Sequence, residues 1–150
     1  MSTARRTHRR LALLVGLAAA IGIAPTAFAA PTLTTITIDI EFGVAEEFTA
    51  TGGVVCDHGF AITDPFFFAG GGRQGRGNGT FHLIKTMTCD DGEWFQIRVN
   101  AASTRSGTIG GWSVVGGSDA YASLRGGGQI VGEGISETHL IDHYTGYLVD

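Results

Sequence analysis

The chain is poor in the residues that most functional classes need. Among its 150 residues are one lysine, Lys85, two cysteines and three prolines. Basic side chains number 10 against 14 acidic ones, and no basic run follows the N-terminus. Nucleic acids and anionic membrane surfaces draw their affinity from Lys and Arg neutralising phosphates, so neither is an expected partner. No second cysteine pair and no H-x-H occurs, and no zinc site is expected. His139 and His143 share one strand face, but at ~3.3 Å per residue they stand about 13 Å apart, too far to grip one ion. No G-x-S-x-G elbow marks a nucleophile. No helical periodicity runs beyond about two turns, and no fixed-length repeat is present.

The longest apolar run, residues 11–23, is too short to span a bilayer comfortably. It follows Arg5, Arg6, Arg9 and Arg10 and precedes Pro25 and Ala27-Phe28-Ala29. A basic start, an apolar middle and small residues before a cut form the grammar of a secretory signal peptide. The reading is therefore a leader over residues 1–29 and a secreted domain over residues 30–150, with no membrane span in the mature form. Removing the four leader arginines leaves 6 basic residues against 14 acidic ones, a net charge of 6 − 14 = −8. In an exported chain Cys56 and Cys89 are expected to form a disulfide, the alternative being a free catalytic thiol.

What remains is rich in glycine and in alternating strands. Residues 32–42, TLTTITIDIEF, place Ile36, Ile38, Ile40 and Phe42 on one face and Thr35, Thr37, Asp39 and Glu41 on the other. Residues 47–56 carry the pair Gly52-Gly53, a bend or bulge signal. Residues 60–68 are apolar, but Pro65 demotes their middle to an edge or a break. Residues 80–89 put Phe81, Leu83 and Met87 on one face. Asp90-Asp91-Gly92 is a turn, and the next strand puts Phe95, Ile97, Val99 and Ala101 on one face and Trp94, Gln96, Arg98 and Asn100 on the other. Further strands are read at residues 110–115, 128–132 and 138–149, with one short helical turn at residues 118–124 capped by Ser118. About eight short strands predict an all-β fold, a single antiparallel β-barrel closed by one disulfide.

Candidate chemistry is sparse. Residues 70–75 satisfy G-x-G-x-x-G, but the next segment alternates as a strand. No helix N-terminus waits for a pyrophosphate, and no cofactor is expected. The carboxylate pairs Glu46-Glu47 and Asp90-Asp91 sit at turns and read as solvated. The last strand interrupts its apolar pattern with Asp142, His143, Tyr144 and Thr145. Either Asp142 and Tyr144, or His143, Thr145 and Tyr147, would face a lumen. Asp142, His143, Tyr144 and Trp112 are the candidate cavity residues. Gly116, Gly117, Gly126 and Gly127, in VVGGSDAYASLRGGGQIVGEG, read as turn geometry between strands.

That last stretch carries a resemblance. Val114-Val115-Gly116-Gly117-Ser118, then Tyr121, then Gly126-Gly127-Gly128 with Gln129-Ile130-Val131, resembles the allene oxide cyclase and dirigent barrels. The phrases Trp-Ser-Val-Val, Gly-Gly and Asp-His-Tyr-Thr-Gly also look like a group of small secreted bacterial proteins of unestablished function. Asp119 stands where the plant families cluster a second glycine, and no catalytic cavity position of theirs matches here residue by residue. The resemblance implies the barrel, and, since those barrels are often trimers, a homo-oligomer.

Three functions are open at this point: binding, without catalysis, of a small apolar or aromatic ligand or of a surface partner; an isomerase- or cyclase-like activity in the cavity; and a role confined to protein partners. A filled lumen would leave only the last. A lumen lined by Ile, Val and Phe alone would favour binding. One that buries Asp142 or His143 beside another titratable group would favour an enzyme.

Overall fold

A computed structural model describes residues 29–70, 79–104 and 107–150. The leader read over residues 1–29 therefore falls almost wholly outside the described residues, as does most of the glycine-rich stretch with Arg73, Arg76 and the G-x-G-x-x-G pattern.

Eight strands follow one another in the chain: β1 Thr32–Glu41, β2 Glu46–Thr51, β3 His58–Gly70, β4 Gly79–Cys89, β5 Trp94–Thr104, β6 Gly107–Gly117, β7 Arg125–Gly134 and β8 His139–Val149. Each pairs antiparallel with its sequence neighbours, and β1 pairs with β8 to close the barrel. Closure leaves no unpaired edge, which removes the main hazard of a small all-β chain.

Alternation decides which side chains enter the lumen. Ile36, Ile38, Phe48, Met87, Phe95, Ile97, Val99, Ile130, Tyr144 and Leu148 are almost wholly buried there. Their outward neighbours, such as Thr49, His143, Thr145 and Tyr147, are exposed. Phe48 and Phe95 meet edge to face at 6.2 Å, as do Trp112 and Tyr144 at 6.1 Å. Such pairs add about 0.5–1.5 kcal/mol beyond the area they bury.

The two ends of the barrel differ. At one end the β2–β3 connection, the β4–β5 turn and the β6–β7 connection converge. Cys56 and Cys89 are joined there, with Cα atoms 6.0 Å apart across a sequence separation of 33. A loop of this span gives about 3–4 kcal/mol in the chain-entropy account. The segment after β6 makes one 3-10 turn, Asp119–Tyr121, and folds over this end. Leu124 is fully buried, and the Tyr121 ring packs on Phe95 at 5.5 Å. The Tyr121 hydroxyl accepts from Cys56 N at 3.1 Å. Ser118 does not cap the turn with its side chain. Its hydroxyl is drawn instead to β5, donating to Glu93 and accepting from Trp94 N at 3.1 Å.

The glycines of this connection have separate reasons. A Cβ at Gly117 would lie 2.6 Å from Tyr121 Cβ, so the fold of Tyr121 over the barrel end requires its absence. Gly126 has φ +133°, a conformation closed to other residues. Gly127 presses on the Trp112 carbonyl oxygen, 2.3 Å from where a Cβ would be. Gly116 is a correction: a Cβ there would make only an ordinary contact with Gln96.

Two strand readings also need correction. Pro65 neither ends β3 nor marks an edge, since a closed barrel has none. It follows a cis Asp64–Pro65 bond inside a bulge, where the β3–β4 register shifts between Thr63 and Phe66. The bulge lets a residue without an N–H sit within a paired strand. Phe42 is not in the core. β1 ends at Glu41, and Phe42 is 63% exposed at the rim of the opposite, open end.

Candidate functional site

The open end holds a cavity of about 470 Å³. Its walls are Ile40, Phe42, Phe66, Phe68, Phe81, Leu83 and Leu140, with Ser103 and Thr108 among them. Phe66 and Phe81 stack at 6.0 Å. The bulge at Pro65 matters here. It resets the alternation of β3 so that Phe66 and Phe68, paired with Leu83 and Phe81, line the cavity.

Below the apolar walls lies a polar floor of Glu46, Thr63, Lys85 and Asp142. Lys85 stands at an inward position of β4, between Leu83 and Met87, and is 2% exposed. An ammonium buried this far needs a partner of opposite charge and hydrogen-bond acceptors. It has both: Nζ donates to the Glu46 carboxylate and to Thr63 Oγ1, the latter at 2.7 Å. Glu46 is the inward-facing first residue of β2 and Thr63 the last β3 residue before the bulge, so three strands converge on this one cation.

Asp142 comes from β8 and is 5% exposed. The Tyr144 hydroxyl donates to its Oδ2 at 3.3 Å. Its Oδ1 is buried and has no hydrogen-bond partner among the described residues. Burial pushes the Asp142 carboxyl above its ordinary range; the Lys85 charge and the Tyr144 hydroxyl pull it back. Tyr144 is raised well above the usual phenol value, by burial first and by the Asp142 charge next. The floor thus couples an ammonium, two carboxylates and a phenol beneath an apolar chamber. Such a set can hold a polar ligand group, and it can relay a proton.

The candidates drawn from the sequence separate cleanly. Asp142 and Tyr144 face the lumen, Asp142 on the cavity floor and Tyr144 packed beneath it. Trp112 is 4% exposed and lies in the packed part of the barrel, its Nε1 donating to Gln129 O at 3.1 Å. It does not line the cavity. His143 is on the outer surface beside Thr37, 3.2 Å from its hydroxyl, and the pleat of β8 keeps it out of the lumen. The other described histidines are external too: His58 pairs with Asp90 at 2.6 Å, His139 with Asp39 at 2.7 Å, and His82 with Asn100 at 2.6 Å. Among the described residues no three His, Cys, Asp or Glu side chains are grouped to hold a metal.

The sequence alone does not point to Glu46, Thr63 or Lys85 as site residues. The Glu46-Glu47 pair reads as solvated at a turn, yet Glu46 opens β2 with its side chain inward. The signal for Lys85 was present: Phe81, Leu83 and Met87 share a face, and position 85 falls on that face. A lone lysine inside an apolar stripe must be paired, and its partner could not be named without the fold.

The outer surface carries its own apolar row, Phe60, Ile62 and Phe67 along β3, at 49%, 65% and 64% exposure. No helix among the described residues is long and apolar enough to cross a membrane. Comparison with protein-family models, with curated proteins and with solved structures finds no match to this chain.

Proposed function

We propose that this is a secreted barrel whose open end binds a small, largely apolar or aromatic molecule with one polar group. The observation that carries the reading is the cavity itself: about 470 Å³, walled by phenylalanine, leucine and isoleucine, with convergent polar groups only at its floor. Apolar walls supply affinity, and a few fixed polar groups supply orientation. The packed lower half of the barrel, pinned by the disulfide and by Tyr121, gives a rigid base on which the site need not be ordered at each binding event. Secretion rests on the leader grammar. Kinship with the allene oxide cyclase and dirigent barrels rests on the glycine phrase around Tyr121 and agrees with the eight-stranded antiparallel architecture.

The test is to incubate the purified protein with a lipid and metabolite extract and to identify what stays bound by mass spectrometry. A Leu83→Trp variant, which fills the chamber, serves as the control. The reading expects one or a few apolar species retained by the native protein and lost from the variant. Equal retention by both, or none by either, overturns it.

A second reading, an isomerase or cyclase, is favoured by one observation: Asp142 is buried beside Tyr144 and within the field of Lys85. A carboxyl whose hold on its proton is strengthened by burial is suited to general acid–base work. This reading expects the retained species to be converted to a product of identical mass and different retention time, and expects Asp142→Asn to bind without converting. An unchanged ligand leaves the protein a carrier.

A further inference from the structure

The floor of the cavity is unbalanced in both hydrogen bonding and charge. Three ionisable side chains line it, Glu46, Lys85 and Asp142. Lys85 is engaged with Glu46 and Thr63. Asp142 takes one hydrogen bond, from Tyr144 to Oδ2, and its Oδ1 takes none. With both carboxyls ionised, two carboxylates against one ammonium leave one excess negative charge at the bottom of an apolar chamber. Oδ1 lies against Gly132, so a ligand in the chamber meets the Asp142 carboxyl from the cavity side. A buried carboxylate is stabilised by a positive charge and donors brought to it. The molecule that corrects both deficits carries N–H groups and a single positive charge. Its body must suit Phe66, Phe81, Leu83 and Leu140.

We infer that the cavity takes amphiphilic amines, each an alkyl- or arylammonium with its head on Asp142 and its apolar body against the phenylalanine walls. The inference rests on the ligand-binding reading above and names the class of molecule for that same site. Glu46, tied to Lys85, sets the floor's charge without being the head's partner. Tyr144 supports the Asp142 carboxylate from below. Phe66 and Phe81, stacked at 6.0 Å, offer ring faces that tolerate a cation better than aliphatic walls would. The acidic surface expected of the mature chain works in the same direction, since a field of one sign raises the local concentration of the opposite ion.

The test is calorimetric titration of the native protein at neutral pH with three probes of one chain length: octylamine, 1-octanol and octanoate. A charge-assisted hydrogen bond to a buried carboxylate predicts that octylamine binds about tenfold or more tighter than 1-octanol, with octanoate the weakest. In Asp142→Asn the amine's advantage over 1-octanol should vanish. An advantage that persists in Asp142→Asn assigns it to the acidic surface and overturns the inference. If 1-octanol or octanoate matches the amine on the native protein, the amine inference falls while the ligand-binding reading stands. If none of the three binds, both fall. The native-protein panel decides even if the variant does not fold.

Discussion

The carboxylate of Asp142 occupies the space into which a side chain at position 132 would project. Gly132 faces it directly across the β7–β8 ladder, and a Cβ there would lie 2.1 Å from Asp142 Oδ1 and 3.0 Å from Thr108 Cβ. The glycine makes the pocket in which the carboxylate sits. Gly132→Ala should therefore displace Asp142, at a cost of about 1–3 kcal/mol for overpacking. Chemical denaturation reads the cost, and the Asp142 carboxyl resonance reads the displacement. An alanine accepted with neither change would mean that the carboxylate lies elsewhere.

The Lys85–Glu46 pair predicts an asymmetry. Glu46→Ala leaves a buried ammonium with Thr63 as its remaining close acceptor, and breaking such a pair by removing one partner costs about 3–5 kcal/mol. Lys85→Met keeps the apolar stem and leaves Glu46, whose side chain is 21% exposed and within reach of water, so it should cost less than Glu46→Ala. Paired denaturation curves check the order. Lys85→Met should also raise the Asp142 pKa further, because the Lys85 charge is what pulls it down. A carboxyl titration that moves downward would refute the placement of Lys85 beside Asp142.

At the packed end, Gly117→Val should destabilise strongly, because Tyr121 lies where the new side chain would go. Gly116→Ala, one residue earlier, should cost no more than a surface substitution, about 0.5 kcal/mol or less. Equal effects at the two positions would remove the close-approach explanation.

The barrel was legible in the sequence because alternation is a strong signal wherever one face is apolar. Residues 32–41 and the hairpin across Asp90-Asp91-Gly92 state their own inward faces, and two cysteines allow one intramolecular pairing. The site was only half legible. Asp142 stood out as a charge in an apolar strand, but the period alone could not say whether it or His143 faced inward; the register with β1 decides that. Glu46 and Lys85 are 39 residues apart, and the β2–β3 and β3–β4 registers bring them together. The bulge at Pro65 was legible as a disturbance but not as the device that turns Phe66 and Phe68 into cavity walls.

Stability should depend on pH through Asp142 with a definite sign. Its folded pKa lies above its unfolded value, so the folded protein binds this proton more tightly. The contribution is fully present below the ordinary carboxylate pKa of about 4 and is lost as pH rises through the raised folded value. The informative quantity is the native stability minus that of Asp142→Asn, which isolates this one group. That difference should fall with rising pH across this window. A difference that rises would mean a carboxylate stabilised by its partners rather than strained by burial.

The central claim is that the open end, and not the packed end or the outer surface, receives a small apolar molecule. Titrating naphthalene, an apolar probe without charge or hydrogen-bonding groups, into protein with isotope-labelled Ile and Leu methyl groups tests it most directly. The account predicts saturable shifts at Ile40, Leu83 and Leu140, and none at the buried Ile36, Leu124 and Leu148. Shifts confined to exposed Ile62 and Ile109, or no saturable shifts at all, would contradict it.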